Sequence, residues 1–313
     1  MSINKERARE VFEYVTLNGK DKALEHFSVS FDSLNRYLRR AKEFGVNTTF
    51  DNKAPRLPKV LLFDIETAPM QVFSWTLFKP KLSHNNIIKD WFVISWSAKW
   101  LFEAEIMGDV LTKDEALNND DSRVVKSIWK LIDEADIIIA HNGDKFDIRK
   151  LNTRYILHKL NPPSPYQSVD TLTISRKYFL FSSSRLDYLG ELIRNKGKIE
   201  ANFGLWKNCI NGDESALTKM LTYNKEDVNL LEEVYIMLRP WIKSHPNMAI
   251  YSEATDYCCP NCGSFDLTMN GHYTTMAGQF NSFRCNNCGA PSRMGSNLLS
   301  HNYRKKLLRS NAR

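Results

Sequence analysis

The chain has 313 residues, of which 42% are apolar, 25% charged and 12% aromatic, with a net charge of +7. That content excludes an intrinsically disordered chain, and the length accommodates one sizeable core plus one or two small modules. The charge sits at the ends: residues 1–56 hold 11 basic and 8 acidic side chains, residues 255–313 hold 7 and 2, and the centre is close to neutral. Basic flanks around a neutral body suit a polyanion partner, or are ordinary solubilising charge. Charged residues interrupt every apolar run short of the roughly 20 residues a membrane helix needs. The first residues, MSINKERARE, lack an apolar signal core, so secretion is not expected and the expected location is cytoplasmic.

Residues 4–44 read as three short helices. Ala8, Val11, Phe12 and Val15 recur at helical spacing in Arg7–Leu17, and Gly19 is a natural stop. Ala23, Leu24 and Phe27 mark a second helix; after the turn Ser28-Val29-Ser30, a third turns Leu34, Leu38 and Ala41 inward, capped by Ser30 or Asp32. Its other face shows Asn35, Arg36, Arg39, Arg40 and Lys42. The stretch ALEHFSVSFDSLNRYLRR resembles helix-turn-helix units, with Ser28 where glycine is common. The resemblance implies a basic helix fitted to a DNA major groove, with Arg36, Arg39 and Arg40 as contacts; a protein-docking or structural trihelical unit is the alternative. A polar linker, Gly45–Pro58, follows.

The middle segment alternates strand-like and helix-like stretches, as an α/β fold with a mixed sheet does. Lys59–Phe63 reads as a buried strand, Phe92–Trp100 as a half-buried one with Trp96 and Trp100 on its core face, Ala104–Val110 as a third, and Ile137–Ala140 as a central parallel strand. Helices are expected at Ser122–Ala135 and at about 146–159, 171–179, 185–195, 213–223 and 224–241, with Ser182–Ser184 capping the one at Arg185. A second linker is expected at Lys243–Tyr257.

Carboxylates stand where these elements end. Asp64 and Glu66, in FDIET, alternate along the first strand and so share a face. Asp147, in NGDKFD, opens the helix after the triple-isoleucine strand. Asp227, in YNKED, lies four residues after Tyr223, one turn along the same helix face. Carboxylates converging beside apolar strands repel one another, and divalent cations remove that cost; oxygen-only donors favour Mg²⁺ or Mn²⁺. Two such ions suit in-line displacement at phosphorus.

FDIET, NGDKFD and YNKED, in that order, resemble the motifs of the DnaQ-like 3′–5′ exonuclease superfamily, over about residues 58–242. The Tyr-x-x-x-Asp form, with Thr222 where another branch has histidine, is similar to the tyrosine (DEDDy) branch. The resemblance implies an RNase H-like mixed five-stranded sheet with flanking helices. It implies that Asp64 bridges two metals, that Glu66 and Asp227 hold the tighter one and Asp147 the second, and that Tyr223 orients or deprotonates the attacking water. A tyrosine near its ordinary pKa of about 10 is a poor base, so orientation is the sounder role. The resemblance further implies contacts to the terminal nucleotide from the Thr67 backbone, Asn142 and Phe146, although a core-facing Phe146 is an alternative. His141 reads as a packed strand-end residue, Asp170 as a structural hydrogen-bonding group, and Trp91 as a candidate for base stacking.

Cys259-Pro-Asn-Cys262 and Cys285-Asn-Asn-Cys288 are CxxC pairs, each followed by glycine. Four thiolates in this arrangement form a tetrahedral Zn²⁺ site, and the segment is similar to zinc ribbons. Cys258 competes for a ligand position, Cys209 reads as packing, and Arg284, Arg293 and Arg304–Arg309 add positive charge. Nucleic-acid contact and protein docking both remain open for this module.

The expected organisation is a helix-turn-helix at 1–46, an exonuclease domain at 58–243, a zinc ribbon at 255–295 and a basic tail at 296–313. The expected activity is 3′–5′ hydrolysis of DNA or RNA to nucleoside 5′-monophosphates, with DNA preferred as partner. No polymerase region is visible, so proofreading would need a separate polymerase or repair partner. Such compact fusions also occur in prokaryotic and phage genomes. A metal-dependent endonuclease or transposase-like enzyme, and a DNA-binding regulator with an inert core, are the competing readings.

Overall fold

The computed structural model describes residues 5–18, 20–43, 58–194, 202–251 and 256–308. The chain divides into two compact units, Met1–Ala54 and Pro55–Arg313.

The first unit holds α1 (Lys5–Asn18), α2 (Lys20–Phe27) and α3 (Phe31–Glu43). Ala8, Val11, Phe12, Ala23, Leu34 and Ala41 are buried among them, as the helical spacing requires. Ser28 takes the left-handed conformation, φ 50°, at the turn position where glycine is common. Ser30 starts α3, its hydroxyl accepting the Ser33 N–H at 3.3 Å. Arg36, Arg39 and Arg40 are exposed. Gly19 and the side chains of Asp32 and Lys42 lie outside the described residues, as does nearly all of the first linker.

The second unit begins with β1 (Val60–Thr67), β2 (Gln71–Val72), β3 (Ile87–Lys89), β4 (Val93–Trp100), β5 (Met107–Val110), α4 (Lys113–Asn118), α5 (Ser122–Glu134) and β6 (Ile137–Ala140). It continues with α6 (Asp147–Leu157), β7 (Gln167–Asp170), α7 (Thr171–Tyr178), α8 (Leu186–Arg194), α9 (Phe203–Ile210) and α10 (Glu214–Leu238). Last come β8 (Leu267–Thr275), β9 (Gly278–Cys285), β10 (Pro291–Arg293) and α11 (His301–Lys305). The main sheet has five strands in the order β5-β4-β1-β6-β7. β1 runs parallel to β6 and antiparallel to β4, so the sheet is mixed, as expected. Alternate residues of β1 feed two apolar clusters: Leu61, Phe63 and Ile65 pack with α5, α6 and α9, while Val60 and Leu62 pack with Val228, Leu231 and Val234 of α10. Asp64 and Glu66 continue the second series, so they leave the strand on the α10 side.

Four sequence expectations change. β4 is buried on both faces rather than half-buried, because α10 covers its polar side, where Lys99 forms an ion pair with Glu232. The helices expected at 213–223 and 224–241 are one 25-residue helix, started by the Asp213 side chain accepting the Ser215 and Ala216 N–H groups. Asn224, where the break was expected, is buried inside it. The strand expected at Ala104–Val110 shortens to β5. The second linker is packed: Ile242 and Met248 are buried, the Tyr235 hydroxyl lies 2.8 Å from His245 Nε2, and the Met248 N–H donates to the Pro260 carbonyl at 2.7 Å. The short elements β2, β3, β7, α4 and α9 had no counterpart in the sequence reading.

Candidate functional site

β1 and α10 build the site between them. Asp64 and Glu66 come from the strand end, just before a register shift between Glu66 and Thr67 that ends regular pairing with β4. Asp227 comes from the middle of α10. Carboxylate oxygens of the three all lie within 4.8 Å of one another. Such crowding is costly in a chain without cations, because each carboxylate raises the energy of ionising the next. Asp227 is 5% exposed. Asn224, fully buried one turn before Asp227, donates its Nδ2 to Asp64 Oδ2 at 2.6 Å. That amide ties strand to helix and fixes the orientation of the Asp64 carboxylate. Sequence reasoning missed it, although its i, i+3 spacing to Asp227 was visible.

Asp147 stands apart from this trio. It opens α6 as expected, but its Oδ1 accepts the Ile65 backbone N–H at 3.3 Å. Burial pushes its carboxyl up to about 7, against the lowering effect of the Ile65 N–H. The structure thus brings together three of the four expected metal carboxylates and sets the fourth against the neighbouring residue of the same strand. Tyr223 lies on α10 one turn before Asp227, half-buried, with the Trp206 ring edge-on at 6.2 Å.

Thr67 lines a cavity of about 470 Å³ with Ala68, Pro69, Met70, Trp91, Lys150, Phe203 and Trp206. Trp91, the candidate stacking residue, carries the Lys150 ammonium over its ring at 3.6 Å. Lys150, Phe203 and Trp206 were not singled out from sequence; Lys150 lies one turn past Phe146, and its ammonium also stands 5.5 Å from that ring. Phe146 is 39% exposed, so it does not face the core. Asn142 adopts φ 71° between β6 and α6, and its N–H donates to Asp170 Oδ1 at 3.0 Å. Asp170 also caps α7 through the Thr173 N–H at 3.1 Å, a structural role as expected. His141 Nδ1 is 2.9 Å from Thr171 Oγ1, and burial lowers its pKa, which suits a packed neutral ring. Trp96 and Cys209 are buried in the core.

The cysteine module is a three-stranded sheet in the order β10-β9-β8 beside two knuckles. Gly263 and Gly289 take φ 73° and 77°, the left-handed region, and their N–H groups donate to the Cys259 and Cys285 carbonyls at 2.8 and 2.9 Å. Cys259, Cys262, Cys285 and Cys288 converge, with Sγ–Sγ distances of 3.6 Å for Cys259–Cys288 and for Cys262–Cys285. A tetrahedron with metal–sulfur bonds of about 2.3 Å has edges of about 3.8 Å, so this donor set fits one zinc ion. Burial raises the Cys259 thiol and carries Cys288 to about 11; at Cys285 the N–H groups of Cys288 and Asn287 overcome burial and bring it to about 7. Cys258 is outside the converging set. Asn261, inside the first pair, donates to the Arg239 carbonyl at the end of α10, at 3.0 Å. Arg284 and Arg293 bond back to the Gly289 and Met294 carbonyls, and Arg309 lies outside the described residues.

Among the described residues no helix is long and apolar enough to cross a membrane. No curated protein matches the chain. Among solved structures, the family B DNA polymerase of the hyperthermophilic archaeon Pyrobaculum calidifontis is similar with a TM-score of 0.45 at 15% identity, covering 59% of this chain. The chain spans a quarter, 25%, of that polymerase's length. Residues 108–239, less than half of the chain, match the family model described as the RNase_H superfamily, and the five-stranded mixed sheet with its flanking helices is consistent with an RNase H-like fold.

Proposed function

We propose that the chain is a two-metal-ion 3′–5′ exonuclease that hydrolyses phosphodiester bonds of DNA, and of RNA where its pocket admits the 2′-hydroxyl, to nucleoside 5′-monophosphates. The observation that carries this reading is the trio of carboxylates within 4.8 Å, two on a strand of the five-stranded mixed sheet and one on a helix within the residues that match the RNase_H superfamily. Asp64, Glu66 and Asp227 would hold Mg²⁺ or Mn²⁺, with Asp147 completing the second site once it loses its proton. Metal ions held there would supply the positive charge that an in-line displacement at phosphorus needs on its attacking and leaving oxygens. Asn224 holds the Asp64 carboxylate in place, and the Tyr223 hydroxyl orients the attacking water. Thr67, Asn142 and Phe146 contact the terminal nucleotide. Cys259, Cys262, Cys285 and Cys288 hold one structural Zn²⁺.

The helical unit binds duplex DNA through Arg36, Arg39 and Arg40 of α3, and the reaction serves a replication or repair partner. The deciding experiment is end-labelled single-stranded and duplex DNA and RNA with Mg²⁺ or Mn²⁺, beside circular single-stranded DNA. Stepwise shortening from the 3′ end supports the reading. Cleavage of the circle replaces it with an endonuclease, and no hydrolysis of any substrate leaves a binding protein with an inert core.

A further inference from the structure

We infer that residues 71–89 form a stacking arm for a single strand of nucleic acid. The inference rests on the nuclease reading only for where the strand leads. β2 and β3 pair as a short antiparallel ribbon that the Phe73 N–H extends to the Asn86 carbonyl at 2.9 Å. Between them the tip is held by its own hydroxyls: Ser74 Oγ donates to the Thr76 carbonyl at 2.6 Å, and Thr76 Oγ1 to the Phe78 carbonyl at 2.8 Å. This ordered tip turns its aromatic rings outward. Phe73 is 72% exposed, Trp75 101% and Phe78 88%. Exposed aromatic surface in such a concentration is costly in water and marks a binding face.

The charge around the rings selects the partner. Residues 68–89 contain Lys79, Lys81 and Lys89 and no Asp or Glu; the first acid, Asp90, comes only at the foot of the arm, beside Trp91. A run of rings followed by lysines suits bases and phosphates together: each base offers a π face, and each lysine can meet a backbone phosphate. Both ends of the arm reach the 470 Å³ cavity, through Met70 before β2 and Trp91 after β3. Thr67, immediately after Glu66, lines the same cavity. A strand stacked along the arm is therefore delivered to the rim of the carboxylate site.

The test is fluorescence anisotropy of a labelled 15-nucleotide oligo(dT) with the full Asp64→Ala chain. Trp75→Ala or Phe78→Ala, both at exposed positions that leave the core intact, should weaken binding about 5- to 150-fold, the loss of one stacked base. On an abasic oligomer of the same length the Trp75→Ala effect should vanish. Changing Lys79, Lys81 and Lys89 to Gln should flatten the salt dependence, by about 0.7 in log–log slope for each phosphate that a lysine no longer neutralises. Unchanged affinity in both aromatic variants, or an equal loss on the abasic strand, overturns the inference, and the first result points to a protein as the occupant. Dinucleotide hydrolysis separates the two readings. If the unmodified chain cleaves a dinucleotide while the arm variants bind normally, the arm fails and the reaction stands. If it cleaves nothing while Trp75→Ala weakens binding, the reaction fails and the arm stands.

Discussion

The carboxylates of Asp64, Glu66 and Asp227 stand on a strand and a helix already held by two extensive apolar clusters. Cys259 and Cys285, by contrast, are two of only three buried apolar residues in the cluster at their own module, the third being Ala290. The two donor sets therefore depend on ions in opposite ways. At the oxygen site the fold forces like charges together, and a cation relieves a strain that the core can bear without it. At the sulfur site there is little core to bear anything, and a bound cation would supply much of the folding free energy.

Asp64→Ala should make the largest difference. Hydrolysis of end-labelled DNA should fall to background while the melting temperature moves by no more than a few degrees, because relief of the crowded carboxylates offsets the buried Asn224 amide left without its acceptor. A cooperative loss of fold would erase the contrast drawn above. Next, chelation of zinc, or Cys262→Ser, should strip hydrogen-exchange protection from β8–β10 and leave the amides of Leu61 and Leu62 protected. Equal loss in both regions would show that the sulfur site supports the whole unit.

The third expectation concerns pH. Asp147 has its carboxyl pushed up from 3.8 to about 7 by burial, so between those values the folded chain keeps a proton that the unfolded chain releases. Without catalytic ions, stability should be greatest at or below pH 4 with respect to this group, and fall by a few kcal/mol as pH rises to about 7. Chemical denaturation across that range should show the fall, and Asp147→Asn should flatten it. Added Mg²⁺ should oppose it at the upper end by favouring the ionised form. Last, Tyr223→Phe should slow hydrolysis by about 10- to 10³-fold without changing the melting temperature by more than a few degrees. A rate equal to that of the unmodified chain would remove the hydroxyl from water positioning.

What was legible in the sequence follows from chemistry that is local. FDIET places Asp64 and Glu66 on one face because a strand alternates, and CxxC followed by glycine describes a knuckle almost completely. The helical unit was readable for the same reason, since Ala8, Val11, Phe12, Leu34 and Ala41 keep a helical period. The failures lie where a distant element decides. Ser95, Ser97 and Lys99 look like a solvent face until α10 lies across them. Asn224 looks like a helix breaker until its partner, 160 residues away, is known. Motif order puts Asp147 with the other carboxylates, but that one of its oxygens accepts the Ile65 N–H is decided by packing across 82 residues of sequence. Thr112-x-x-Glu115, by contrast, was a local signal passed over: the Thr112 hydroxyl accepts the Glu115 N–H, and the Glu115 carboxylate the Thr112 N–H at 2.8 Å, which starts α4.

The hydrogen bond from Asn261 to the Arg239 carbonyl has a mechanical meaning. A helix leaves its last carbonyls without partners inside it; the Arg239 carbonyl, just past α10, accepts the Ile242 N–H at 3.2 Å and gains a second partner from within a cysteine knuckle. With 25 residues, α10 is a rod of roughly 37 Å, and the knuckle is the rivet at its far end. Pulling that rivet lets the rod fray from its tip inward. About three turns separate the tip from Asp227, so the carboxylate cluster sits beyond the reach of the first loosening.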